Sequence, residues 1–133
     1  MIWCKKYLFI LLLAGILLNC SEDDDTIDEK QVTGHWIWIK STGGIDGRTE
    51  TTASTGNTIK LEITKKSVKR YVNGDLVSDL GYTLQTMESG LFGKPMDMIR
   101  YENGSDQVIE RNQEQLIFTD DCFDCFQHVY IKE

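Results

Sequence analysis

The sequence predicts an all-β domain, about eight antiparallel strands running up and down to close a barrel. Three observations predict it. From Gly34 to the end of the 133-residue chain, short apolar or alternating runs are separated by turn residues, and no window sustains the apolar period of about 3.6 residues that marks a helix. Asn-Gly pairs stand between such runs at Asn73-Gly74 and Asn103-Gly104, and the first is the strongest short hairpin signal available. The only proline is Pro95, which falls in an inter-strand loop and interrupts no strand.

The elements follow in order. His35 to Lys40 is apolar on both parities, as suits a strand covered on both sides. Ser41 to Asn57 is rich in Gly, Ser and Thr and predicts a long loop. Ile59, Leu61 and Ile63 alternate with Lys60, Glu62 and Thr64, which makes a half-buried strand. Val68 to Val72 pairs across the Asn73-Gly74 turn with a return strand carrying Leu76, Leu80, Tyr82 and Leu84. Glu88 to Pro95 is a second loop. Met96–Tyr101, Gln107–Arg111 and Gln115–Thr119 are three further strands, and after a turn over Asp120–Cys125 the last strand spans Phe126 to Ile131. Trp36, Trp38, Leu61, Ile63, Leu80, Tyr82, Leu116, Phe118, Phe126 and Tyr130 are the expected interior.

Residues 1–19 have the layout of a secretory leader. Lys5 and Lys6 precede the apolar run Tyr7–Leu18, which is shorter than the ~18–20 residues a membrane-spanning helix needs. Leu17, Leu18 and Cys20 resemble the cleavage box of a bacterial lipoprotein, although Asn19 stands where a small residue is usual. That resemblance implies acyl chains on Cys20 as the membrane anchor; an ordinary leader with a chance cysteine is the alternative. Residues 20–33 carry six acidic side chains against Lys30 and are expected to form a disordered tether. The run Ser21, Glu22, Asp23, Asp24 and Asp25 is similar to the export signal of Bacteroidota-type lipoproteins. It implies a lipid-anchored outer-membrane protein facing the cell surface. Loss of Lys5 and Lys6 deepens the formal charge of −7 by two, and no basic stripe is left to bind nucleic acid.

The barrel segment, residues 34–133, carries a resemblance of its own. Gly34-His35-Trp36 is the Gly-x-Trp with which lipocalins begin. Trp38, Ser41-x-Gly43-Gly44-x-x-Gly47, Ser54-Thr55-Gly56, Tyr71-x-Asn73-Gly74, Tyr82-Thr83-Leu84 and Leu116-x-Phe118-x-Asp120-Asp121-Cys122-x-Asp124 with Tyr130 follow it. Together they resemble the lipocalin-like domain of small Bacteroidota-type lipoproteins over Val32 to Lys132. The resemblance implies an eight-stranded up-and-down barrel, and carries fold further than function. Cys125 stands where that family leads one to expect glycine.

Few residues suggest chemistry. Cys122-Phe123-Asp124-Cys125 is a Cys-x-x-Cys, but Asp120, Asp121 and Asp124 would raise its thiol pKa and a strand follows it, which argues against a redox centre. A disulfide stapling the last turn suits an exported chain. Zinc on Cys122, Cys125, His128 and His35 lacks a second paired motif. The aspartates do not form a spaced calcium loop. No phosphate-binding loop is present, and nothing in the sequence ties its Ser, His and Asp residues into a triad.

Arg70, Arg100 and Glu110 lie in apolar strands. They could point inward as polar anchors, or outward as alternation commonly arranges. The expectation is therefore a non-catalytic protein without cofactor or metal. It binds a small apolar or amphipathic molecule through Trp36, Trp38, Arg70, Tyr82, Arg100, Phe118 and Tyr130, with the two tryptophans at the closed end. The alternative is an interaction module with a filled barrel that contacts protein or glycan through loops 41–57 and 88–95.

Overall fold

The computed structural model describes residues 26–133; the leader, Cys20 and the acidic run Ser21–Asp25 lie outside the described residues. Nine strands follow a short helix: α1 (Glu29–Val32), β1 (Gly34–Gly43), β2 (Arg48–Glu50), α2 (Thr52–Thr55), β3 (Ile59–Ile63), β4 (Ser67–Val72), β5 (Asp75–Glu88), β6 (Pro95–Tyr101), β7 (Asp106–Asn112), β8 (Gln115–Asp120) and β9 (Phe126–Lys132). All pairings are antiparallel, and the last strand returns to pair with the first. Eight of the strands close a barrel, with β2 as a short flap on β1. Closure leaves no long free edge to recruit another chain.

β1 serves two neighbours. Its first half, Gly34–Ile37, pairs with β3, and Trp36–Gly43 pairs with β9, with a bulge at Ile39 between Trp38 and Lys40. The bulge shifts the alternation by one residue, so that Trp36, Trp38 and then Ser41 face inward. Asn73 (φ 51°) and Gly74 (φ 87°) form the β4–β5 turn with both residues left-handed, as a two-residue hairpin requires.

Ser41–Asn57 is not the long loop its composition suggests. β1 runs on to Gly43 and doubles back as β2, and Thr51 caps α2 by accepting the N–H of Ser54. Gly43 is required here: a Cβ would lie 2.0 Å from the Cys125 carbonyl oxygen, at a φ of 151°.

The expected disordered tether over 20–33 also needs correction at its C-terminal side. Asp28 and Gln31 form a reciprocal capping box around α1. Val32 is fully buried, and Ile27 packs on the core. The Trp36 indole N–H donates to the Val32 carbonyl over 2.8 Å. Arg111 stacks its guanidinium 4.8 Å from the Trp36 ring and donates to the Gln31 carbonyl, with Lys132 on the same ring. The folded unit thus begins by Ile27, because this segment forms the floor of the barrel. Charge composition concealed two apolar residues that the floor needs.

The β5–β6 hairpin departs from simple up-and-down form. Connectivity places its turn (residues 89–94) at the floor end and the β8–β9 turn at the opposite, open end. Yet Ser89, Gly90 and Leu91 all bond to Asp121 of the β8–β9 turn. β6 pairs with β7 only through Met98–Arg100. Below that point the hairpin leaves the wall and turns back along the outside. Met98 and Val108, paired on the outward row, are buried accordingly. Ile27 enters the space vacated beside β7, its N–H reaching Asp97.

Candidate functional site

Above the floor the barrel is hollow. A cavity of about 730 Å³ opens at the end formed by the β1–β2, β4–β5, β6–β7 and β8–β9 turns, within the range of small-molecule sites, about 300–1,000 Å³. Its lower wall is apolar, made by Trp38, Leu61, Val68, Leu80 and Phe118. Its upper wall carries Glu50, Asp106, Asp120, Asp121 and His128. Inward alternation accounts for the division, since each strand contributes every second side chain to the lumen.

Of the seven residues expected to bind ligand, Trp38, Arg70, Phe118 and Tyr130 line this cavity. Three do not. Trp36 is wholly buried in the floor, with its polar edge already bonded to Val32. Tyr82 lies beside the β3–β4 turn and donates its hydroxyl to the Thr64 carbonyl over 2.7 Å. Burial raises its pKa. Arg100 neighbours inward Ile99 and so faces out, where it forms a two-pronged ion pair with Asp106 at 2.8 and 2.9 Å. Glu110 is outward and exposed as well. Arg70 pairs with buried Leu61 on one side and Ser78 on the other, which directs it into the lumen.

One polar network crosses the upper wall. Tyr101 donates its hydroxyl to Gln107 Oε1 over 2.7 Å, and Gln107 donates to Asp120 over 2.8 Å. His128 Nε2 lies 3.3 Å from Asp120, and its Nδ1 lies 2.7 Å from the Ser41 hydroxyl. The Trp38 indole N–H completes the chain by donating to Ser41. Burial alone would raise the Asp120 pKa, but hydrogen bonds from His128, Gln107 and the Phe126 N–H hold it below the ordinary value. An ionised Asp120 only accepts, so in the neutral ring Nε2 carries the proton and Nδ1 accepts from Ser41. Every group has a partner; among the described residues no buried side-chain polar atom is left without one.

The order Ser41–His128–Asp120 is that of a nucleophile, a base and its orienter. However, Ser41 is buried and its oxygen already receives the Trp38 N–H. The arrangement braces the wall between β1, β8 and β9. Sequence reading did not assemble it. The available signal was alternation, because His128 is two residues from Tyr130 and from Phe126 and therefore shares their face.

Tyr130 sits deeper. Burial pushes its phenol up to about 12, against the pull of the Arg70 guanidinium beside it. It packs edge-on against Phe118 at 5.6 Å. Burial likewise raises Tyr101. Arg70 has no carboxylate within ion-pair distance among the described residues, whereas Arg48 pairs with Glu50 and Arg100 with Asp106.

Cys122 and Cys125 are joined by a disulfide with Cα atoms 5.6 Å apart. The bridge forms the turn at the cavity mouth, where the Cys125 carbonyl accepts from Gly44 N–H. The four-ligand zinc arrangement is not assembled. His35 is on the exposed side of the floor end of β1, while His128 is bonded to Ser41 and Asp120. Among the described residues no group of three His, Cys, Asp or Glu side chains is placed to hold a metal ion.

Fold and site together define a closed eight-stranded antiparallel barrel with a one-ended cavity, apolar below and polar at the mouth. Comparison of the chain with protein-family models, with curated proteins and with solved structures finds no significant match.

Proposed function

We propose that this chain is a lipid-anchored outer-membrane protein whose barrel binds a small amphipathic molecule without transforming it. The observation that carries the reading is the cavity: a lumen of about 730 Å³ with an apolar base and polar groups gathered at its mouth suits a molecule with one apolar and one polar end. The leader ending on Cys20, and the resemblance of Ser21–Asp25 to a surface-export signal, support attachment to the outer membrane facing the cell surface. Two or three acyl chains on one cysteine would hold the domain stably, since a single chain binds only marginally. The resemblance to lipocalin-like lipoproteins supports the same assignment.

Native mass spectrometry of protein purified from its own membrane tests the reading. A co-purified small molecule that is lost from a Leu80→Trp variant, whose added bulk fills the lumen, is the expected result. A wild-type protein that carries no adduct and takes up no amphiphile would overturn it.

A second reading is favoured by one observation. Ile45, in the β1–β2 turn, is 93% exposed, and Phe92, in the folded-back hairpin, is 45% exposed. These apolar tips lie in the segments 41–57 and 88–95 and suit a protein or glycan contact. Ile45→Ser with Phe92→Ser should leave amphiphile binding intact and abolish such a contact.

A further inference from the structure

The cavity's charges are not equivalent, and the difference identifies the polar end of its occupant. Four carboxylates stand at the upper wall, and each is already held. Glu50 pairs with Arg48 at 3.0 Å and Asp106 with Arg100 at 2.8 Å. Asp120 receives His128, Gln107 and the Phe126 N–H, while Asp121 receives Ser89, Gly90 and Leu91. The cation on the lumen wall is different. Arg70 projects inward between Leu61 and Ser78, above Val68 and Leu80, and its polar neighbour is the Tyr130 hydroxyl. Among the described residues it has no ion pair. Arg70 is half-buried on the lumen wall, so its guanidinium is open to pairing with an anion that enters the cavity.

Resting on the amphiphile-binding reading above, we infer that the occupant carries a carboxylate, which Arg70 and Tyr130 hold within the lumen while its chain lies on Trp38, Leu61, Leu80 and Phe118. Carboxylate geometry matches the guanidinium, whose parallel N–H groups engage both oxygens, and the phenol adds a third donor. A phosphate fits less well. Its second charge would enter a lumen with one unpaired cation and four carboxylates at the mouth. Those carboxylates repel an approaching anion, but salt screens them beyond about 8 Å, and the contact with Arg70 is direct.

Calorimetric titration of the mature protein with four probes tests the assignment: dodecanoate, dodecanol, dodecyltrimethylammonium and dodecyl phosphate, each below its micelle concentration. The wild-type protein should bind dodecanoate at least tenfold more tightly than the other three. Arg70→Met should abolish the preference of dodecanoate over dodecanol; Tyr130→Phe should lose part of it. Equal affinities for dodecanoate and dodecanol, or tightest binding of dodecyl phosphate, would overturn the carboxylate assignment while cavity binding stands. Binding of none of the four would overturn the amphiphile-binding reading as well. The wild-type comparison decides the matter even if a variant fails to fold.

Discussion

Ser89, a fully buried hydroxyl in the turn between β5 and β6, donates to the carboxylate of Asp121, 32 residues further along the chain at the other end of the barrel. The same carboxylate accepts the N–H groups of Gly90 and Leu91 at 3.0 Å each. These bonds hold the Asp121 pKa below its ordinary value, the Ser89 contact being the largest influence. One side chain thereby pins a hairpin that would otherwise extend beyond the floor.

Asp121→Ala should release that hairpin. The expected loss is roughly 1–3 kcal/mol, the scale of hydrogen bonds to a charged group. Amide exchange should accelerate at residues 89–94 before it does so elsewhere. Unchanged exchange there would mean that packing alone holds the hairpin.

The floor is a second weak point. Trp36→Ala removes a fully buried ring together with its contacts to Val32, Arg111 and Lys132. It should cost about 3–5 kcal/mol in urea unfolding, the range for large aromatic deletions. Deleting residues 26–32 should also destabilise the domain strongly, since it exposes the same ring. A deletion with wild-type stability would contradict the assignment of this segment to the folded unit.

Acid should unfold the domain in a defined window. Asp106, Asp120 and Asp121 all titrate below their ordinary value of 3.8 when folded. The unfolded chain therefore binds protons first as pH falls. Their stabilisation is complete above about pH 5 and is lost through pH 4 and below, where the native carboxylates finally protonate. At the alkaline end the sign reverses. The Tyr130 pKa is raised to about 12, so its contribution is full below about pH 10 and is lost as pH climbs through the native value. Thermal unfolding from pH 2 to 12 should give a plateau between these limits.

The disulfide closes a very short loop. Chain entropy over four residues amounts to about 2 kcal/mol, so reduction or the Cys122→Ser, Cys125→Ser pair should lower stability by about that much and loosen the mouth near Gly43. A domain that unfolds entirely on reduction would show a larger structural role.

Anchoring is tested separately. Cys20→Ala should leave the protein in the soluble fraction after cell lysis, and retention in the membrane fraction would remove lipidation as the anchor.

How much of this was legible beforehand differs between fold and site. Alternation at Ile59–Ile63, the Asn73-Gly74 turn and the apolar runs that follow determine the strands and their inward faces, because side-chain period and turn geometry are local properties. The class of fold follows from them. Trp38, Phe118 and Tyr130 reach the lumen for the same reason. Arg70 and Arg100 could not be told apart locally. Each is a basic residue in a short apolar strand, and the faces they take depend on their partners, Leu61 for one and Asp106 for the other. Composition misjudged Thr26–Thr33 and Ser41–Asn57, because charge and glycine content do not register a single buried valine or a hairpin flap.

What only the tertiary structure decided are the relationships across the barrel. They include the brace from Trp38 through His128 to Tyr101, the hairpin folded onto Asp121, and the open lumen holding Arg70, which has no ion pair among the described residues. The brace and the hairpin each depend on a contact between segments distant in the chain, Ser41 with His128 in the brace and Ser89 with Asp121 in the hairpin. The Ser41–His128 contact exists only once β9 has closed on β1, and no local preference encodes either contact.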